Sequence, residues 1–68
     1  MRTEIYESDP FSGSRGTLLA ELDSDYRFEH GDELVLSTDG RRLKLRITHV
    51  RVELEGGTLR RELIGPKL

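Results

Sequence analysis

Between Leu43 and Leu54 the chain alternates apolar and polar residues, but the alternation changes phase midway. Leu43, Leu45 and Ile47 hold odd positions, whereas Val50, Val52 and Leu54 hold even ones. A period of two marks a strand with one buried face. A one-residue slip would turn the later set to the other face. An extra residue at Thr48-His49, accommodated as a β-bulge, bends the strand and keeps both apolar sets on one side. The competing arrangement is two strands joined by a loop at the same place.

The flanking runs supply partners for this strand. Asp39-Gly40 lies between two alternating segments and predicts a type I′ hairpin, because that turn needs positive φ at both central residues. It sets Leu36 opposite Leu43, Leu34 opposite Leu45 and Glu33 opposite Arg46. Gly56-Gly57 repeats the device, setting Leu54 opposite Leu59, Val50 opposite Leu63, Glu53 opposite Arg60 and Arg51 opposite Glu62. The result is a three-stranded meander over residues 32–64 with a bulged central strand.

Upstream, Phe28-x-x-Gly31-Asp32-x-Leu34 reads as the turn into the meander. Phe28 is expected to close one end of the core, Gly31 to take a positive φ, and the Asp32 carboxylate to accept from nearby backbone N–H groups. The pattern resembles the Gly-Asp turn of many unrelated small β-barrels and identifies no family. RTEIYE, near the N-terminus, is a short strand with Thr3 and Ile5 on one face. SDPFSGSRG is a loop by its Pro, Gly and Ser content. GTLLAEL fits either a strand or one helical face, and the glycines on its N-terminal side, its short length and the all-β setting favour the strand.

These elements predict an all-β fold: a small β-barrel of about five antiparallel strands, resembling the SH3-like class in size and strand order. A bent strand shared by two hairpins is what closing such a barrel requires. With 68 residues the chain is expected to form a single domain, 1–68, with a small core. The absence of cysteine excludes disulfides and thiolate metal sites and fits a cytoplasmic setting. No apolar run reaches the length of a membrane span, and MRTEIYESDP lacks the apolar centre of a signal peptide. The chain has neither Asn nor Gln, and its basic residues are nearly all Arg. A thermophilic source or a GC-rich genome would each leave that mark.

Charge divides along the chain. Residues 1–40 carry three Arg and ten Asp or Glu, a net of −7; residues 41–68 carry eight Arg or Lys and three Glu, a net of +5. The simplest consequence is attraction between the two halves of the fold. The sharper one is a basic face made by Arg41, Arg42, Lys44, Arg46, Arg51, Arg60 and Arg61, able to meet an acidic partner. That stripe could also follow a nucleic-acid backbone. Against this stand the interspersed Glu33, Glu53 and Glu62, the lack of interleaved aromatics and the mildly acidic whole.

Catalysis finds little support. Only His30 and His49 could serve as imidazole bases, and no Ser sits in a nucleophile elbow. His30-Gly31-Asp32-Glu33 would have to bring consecutive residues onto one metal ion. Asp23, Asp25, Glu29, Asp32 and Glu33 lack calcium-loop spacing. Gly13-Ser14-Arg15-Gly16 lacks the Lys-Ser/Thr ending of a phosphate-binding loop. The sequence therefore predicts no catalytic residues, metal or cofactor. It predicts a non-enzymatic binding or assembly module acting through protein–protein contacts, with nucleic-acid binding by the Arg face as the alternative. A small-ligand pocket near Tyr26 and Phe28 is a third reading. Unprotected strand edges make a homodimer plausible.

Overall fold

Asp39 and Gly40 take φ of 50° and 76°, and Gly56 and Gly57 take 56° and 82°, the backbone of two type I′ turns. Around them the computed structural model, which describes residues 1–68 except the side chain of Thr38, places six strands. These are β1 (Arg2–Ser8), β2 (Arg15–Asp23), β3 (Glu33–Thr38), β4 (Arg41–Arg46), β5 (His49–Glu55) and β6 (Thr58–Gly65). The ambiguous GTLLAEL segment is strand, within β2. Both hairpins have the register read from their turns. Leu36 pairs with Leu43, Leu34 with Leu45 and Glu33 with Arg46. Leu54 pairs with Leu59, Val50 with Leu63, Glu53 with Arg60 and Arg51 with Glu62.

The larger architecture departs from the expected meander. Four strands form one sheet in the order β2-β1-β6-β5, and β3-β4 form a second. There are six strands rather than about five, and they are not all antiparallel, because β1 runs parallel to β6. The N-terminal strand adds on the edge of β6 away from β5, and the two hairpins lie in different sheets. The four-stranded sheet is not closed into a barrel; β2 and β5 each have one ladder neighbour.

The phase slip has a direct structural cause. The end of β4 runs beside the tail that follows β6: Leu45 bridges Lys67, Arg46 N–H donates to Pro66 C=O at 3.2 Å, and Leu68 N–H donates to Lys44 C=O at 2.9 Å. Continued at that count, Thr48 would face Ile64, and its N–H does donate to Ile64 C=O at 2.9 Å. Yet the ladder partner of Ile64 is His49. Two consecutive residues thus meet one, as in a bulge. The bend there is sharp enough to end β4 and begin β5 in the other sheet. The expected single bulged central strand is therefore two strands meeting at a bulged corner.

The β3–β4 hairpin lies over the four-stranded sheet. Ile5, Leu45, Ile47 and Leu63 form the buried core, with Leu19, Ala20, Phe28, Leu34 and Leu36 packed against it. Leu19 is the extra residue of a register shift, since Ile5 pairs with Ala20 and Tyr6 with Leu18. The turn into β3 forms as expected. Gly31 has φ 96°, and Asp32 Oδ2 accepts from Glu29 N–H at 2.9 Å. Its backbone also fastens the corner, with Gly31 N–H on Ile47 C=O at 2.7 Å and Ile47 N–H on Asp32 C=O at 2.8 Å.

Gly65 has a role that periodicity does not reveal. A Cβ built there would lie 1.7 Å from the carbonyl oxygen of Arg46. The end of β6 and the end of β4 cross at this point, and only a residue without a side chain lets them approach.

Candidate interaction surface

Val50 sits opposite Leu63 and therefore shares the core-facing side of the sheet. The β3–β4 hairpin does not extend far enough to cover the rest of that side. Val50, Val52, Leu54 and Leu59 are 39%, 53%, 70% and 45% exposed. Ile47 and Val50 thus both lie on the core-facing side, as the phase slip predicts, but only Ile47 is fully buried. Beside the uncovered row stand Arg61, directly opposite Val52, and the segment around Tyr26 that crosses over it. Tyr26 and Phe28 meet edge to face with centroids 4.7 Å apart, and Tyr26 is largely exposed.

The basic residues singled out from the sequence do not form one face. Arg42, Lys44 and Arg46 project from the solvent side of β4, and Arg41 is exposed at its turn. Arg46 bonds Gly31 C=O at 3.2 Å and lies 3.8 Å from Glu33. Arg51 and Arg60 belong to the four-stranded sheet, on the face opposite the core. Arg61 is buried: it bonds Thr3 Oγ1, Tyr26 C=O and Ser24 C=O and lies over the Phe28 ring at 4.9 Å. It is a clamp that holds residues 24–28 onto the sheet.

Arg60 is the hub of a charge network on that second face. It bonds Glu4 at 2.6 Å, Glu53 at 2.5 Å and Glu62 at 3.2 Å. The parallel register sets Glu4 beside Glu62, two carboxylates that would repel without shared cations. Arg15, 5.0 Å over the Tyr6 ring, supplies the second cation to Glu62 at 2.5 Å. Glu62 is fully buried, and its Oε1 has no hydrogen-bond partner among the described residues. The sequence showed the Glu53–Arg60 and Arg51–Glu62 neighbours. It could not show Glu4 or Arg15, which arrive through the β1–β6 pairing.

The network makes stability depend on acid. Burial alone would raise Glu4, but bonds from Tyr6 and Arg60, with the Arg60 charge, hold it below its ordinary 4.5. Glu53 is lowered by its bond to Arg60 and by that charge. Carboxyls depressed in the folded state contribute stability that is complete above the unfolded value and is lost as pH falls through the folded one. Thermal midpoints are therefore expected to be flat from neutral pH down to about pH 5 and to fall below about 4.5. Arg60→Met should reduce that acid dependence. An unchanged pH profile in the variant would show that the network does not carry it.

Both histidines reach one open cleft, lined among others by Arg15, Phe28, His30, Thr48, His49 and Arg51. His49 Nδ1 lies 3.0 Å from Thr48 Oγ1. The arginines there are already partnered: Arg15 with Glu62, Arg51 with Glu53 at 3.5 Å, and Arg27 with Glu29 at 3.8 Å. Among the described residues no group of three His, Asp or Glu is arranged to hold a metal ion. Among the described residues no helix is long and apolar enough to cross a membrane. Comparison with known family models, curated proteins and solved structures finds no match to this chain.

Proposed function

We propose that the protein is a small, non-enzymatic binding or assembly module that works through protein–protein contacts at the β5–β6 face. The observation that carries this reading is the contiguous exposed row Val50, Val52, Leu54 and Leu59 beside an open sheet edge. Single exposed apolar residues are ordinary, but a contiguous row marks a surface that another molecule covers. The bent path from β4 into β5 keeps the likeness to SH3-like barrels in view as an opened variant of that class.

The distribution of cations favours a protein partner over nucleic acid. A phosphate-tracking groove needs cations aligned on one surface. Here Arg60 and Arg51 pair with carboxylates, Arg61 is buried, and Arg41, Arg42 and Lys44 stand apart on the hairpin. Those last three form the part of the basic set placed to meet an acidic rim on a protein partner.

Affinity capture from a lysate of the source, with the wild type and Val52→Lys as parallel baits, tests the reading. A protein held by the wild type, resistant to nuclease and lost with Val52→Lys is the expected result. Retention of the same molecules by both baits, or release of everything by nuclease, would overturn it.

A further inference from the structure

The β5 edge has a feature that selects one partner geometry. Asn-free, Gly-Gly-closed hairpins of this kind make the residues flanking the turn a hydrogen-bonded pair, here Glu55 and Thr58. Alternation then directs the N–H and C=O of His49, Arg51, Glu53 and Glu55 towards β6. Those of Val50, Val52 and Leu54 point to the open edge, where no strand of this chain meets them. The donors and acceptors at the edge thus belong to the same residues whose side chains are uncovered.

We infer that β5 pairs antiparallel with β5 of a second copy, about a two-fold axis through Val52, giving a continuous eight-stranded sheet. The inference rests on the reading of the β5–β6 face as a protein-binding surface and names its partner. Charge order along His49-Val50-Arg51-Val52-Glu53-Leu54-Glu55 picks out this register. With Val52 opposite Val52 of the second copy, Arg51 faces Glu53, His49 faces Glu55 and Val50 faces Leu54. Arg51 and Glu53 then meet as opposite charges, His49 and Glu55 as polar neighbours, and apolar side chains meet on the other face. The outward N–H and C=O groups of residues 50, 52 and 54 all find partners.

Other two-fold registers are worse. Centring on Arg51 or on Glu53 sets like charges directly opposite, and centring on Leu54 sets Glu53 against Glu55. Centring on Val50 pairs only residues 49–51 of the two β5 strands and leaves the rest of the edge unmatched. Registers of odd offset would oppose side chains from different faces and are not compatible with a two-fold axis normal to the sheet. The other open edge of this sheet, β2, is protected: its pairing with β1 is broken by two register shifts, whereas β5 pairs with β6 over seven residues without one.

Light scattering on the eluted protein tests the inference with variants that distinguish the register. The wild type should elute with twice the chain mass and dissociate on dilution. Val52→Lys and Val52→Glu should each be monomeric, since each sets like charges together at the axis. An equimolar mixture of the two should recover the dimer, because only a two-fold through residue 52 sets that residue against itself. Circular dichroism establishes that both variants fold. Should either fail, amide exchange of the wild type decides: Val50, Val52 and Leu54 should exchange more slowly as concentration rises. A monomeric wild type, a mixture of folded variants that stays monomeric, or exchange independent of concentration would overturn the inference. A monomeric wild type that still loses a captured protein on Val52→Lys substitution would overturn self-pairing alone. A monomeric wild type with no such captured protein would overturn the wider reading as well.

Discussion

Gly65→Ala should lower the thermal midpoint by more than about 10 °C and leave a measurable unfolded fraction at room temperature. The added methyl carbon would lie 1.7 Å from Arg46 C=O and within 3.3 Å of Ile47 Cα, so backbone must move rather than a side chain. Overpacking that side chains can relieve costs about 1–3 kcal/mol. Here the displaced carbonyl belongs to the strand end whose N–H bonds Pro66, and Ile47 next to it anchors the core. The cost should therefore reach the top of that range or exceed it. A chain of this length has about 3–10 kcal/mol of stability in all, so the loss is a large fraction. Differential scanning calorimetry would measure it. A midpoint within a few degrees of the wild type would mean that the two strand ends do not cross as closely as described.

Ile47→Ala is expected to cost about 2–5 kcal/mol, as truncation of a fully buried side chain does. Val50→Ala, three residues later, should cost under about 1 kcal/mol, because its side chain keeps much of its contact with water already. Urea denaturation at a concentration where the wild type is monomeric would separate the two. Equal costs would show that the hairpin covers Val50 as fully as Ile47, and the exposed row would then begin no earlier than Val52. The contrast is sharp because both residues belong to one apolar alternation. They differ only in whether another layer lies above them.

The same difference separates the Arg residues. Arg42, Lys44 and Arg46 were placed on an outward face by alternation from Leu43 and Leu45, and they are exposed. Arg61 follows the same rule in the opposite sense. It falls on the apolar side of β6, opposite Val52, and the segment carrying Ser24 and Tyr26 closes over it. Its charge groups it with the basic face in the sequence, whereas strict alternation from Leu59 and Leu63 puts it on the apolar side; no local signal announced the carbonyls that make burial tolerable there. Gly65 was likewise silent, since its need for close approach comes from a strand distant in sequence.

Local rules determined the parts whose energetics are local. Asp39-Gly40 and Gly56-Gly57 require positive φ, which made both turns, and the turns set every pairing of β3 with β4 and of β5 with β6. Gly31 and Asp32 shaped the entry to β3 for the same reason. The slip at Thr48-His49 was legible because a period of two cannot absorb one residue without a visible change of phase. Tertiary structure alone decided that β1 inserts parallel to β6, because strands far apart in sequence leave no turn to specify their register. That insertion brought Glu4 and Arg15 to Glu62 and Arg60, while the corner after β4 set the two hairpins in different sheets, in which Val50, Val52 and Leu54 have no cover. Alternation determines which face of a strand is apolar; which other layer reaches that face is settled only by the packing of the whole chain.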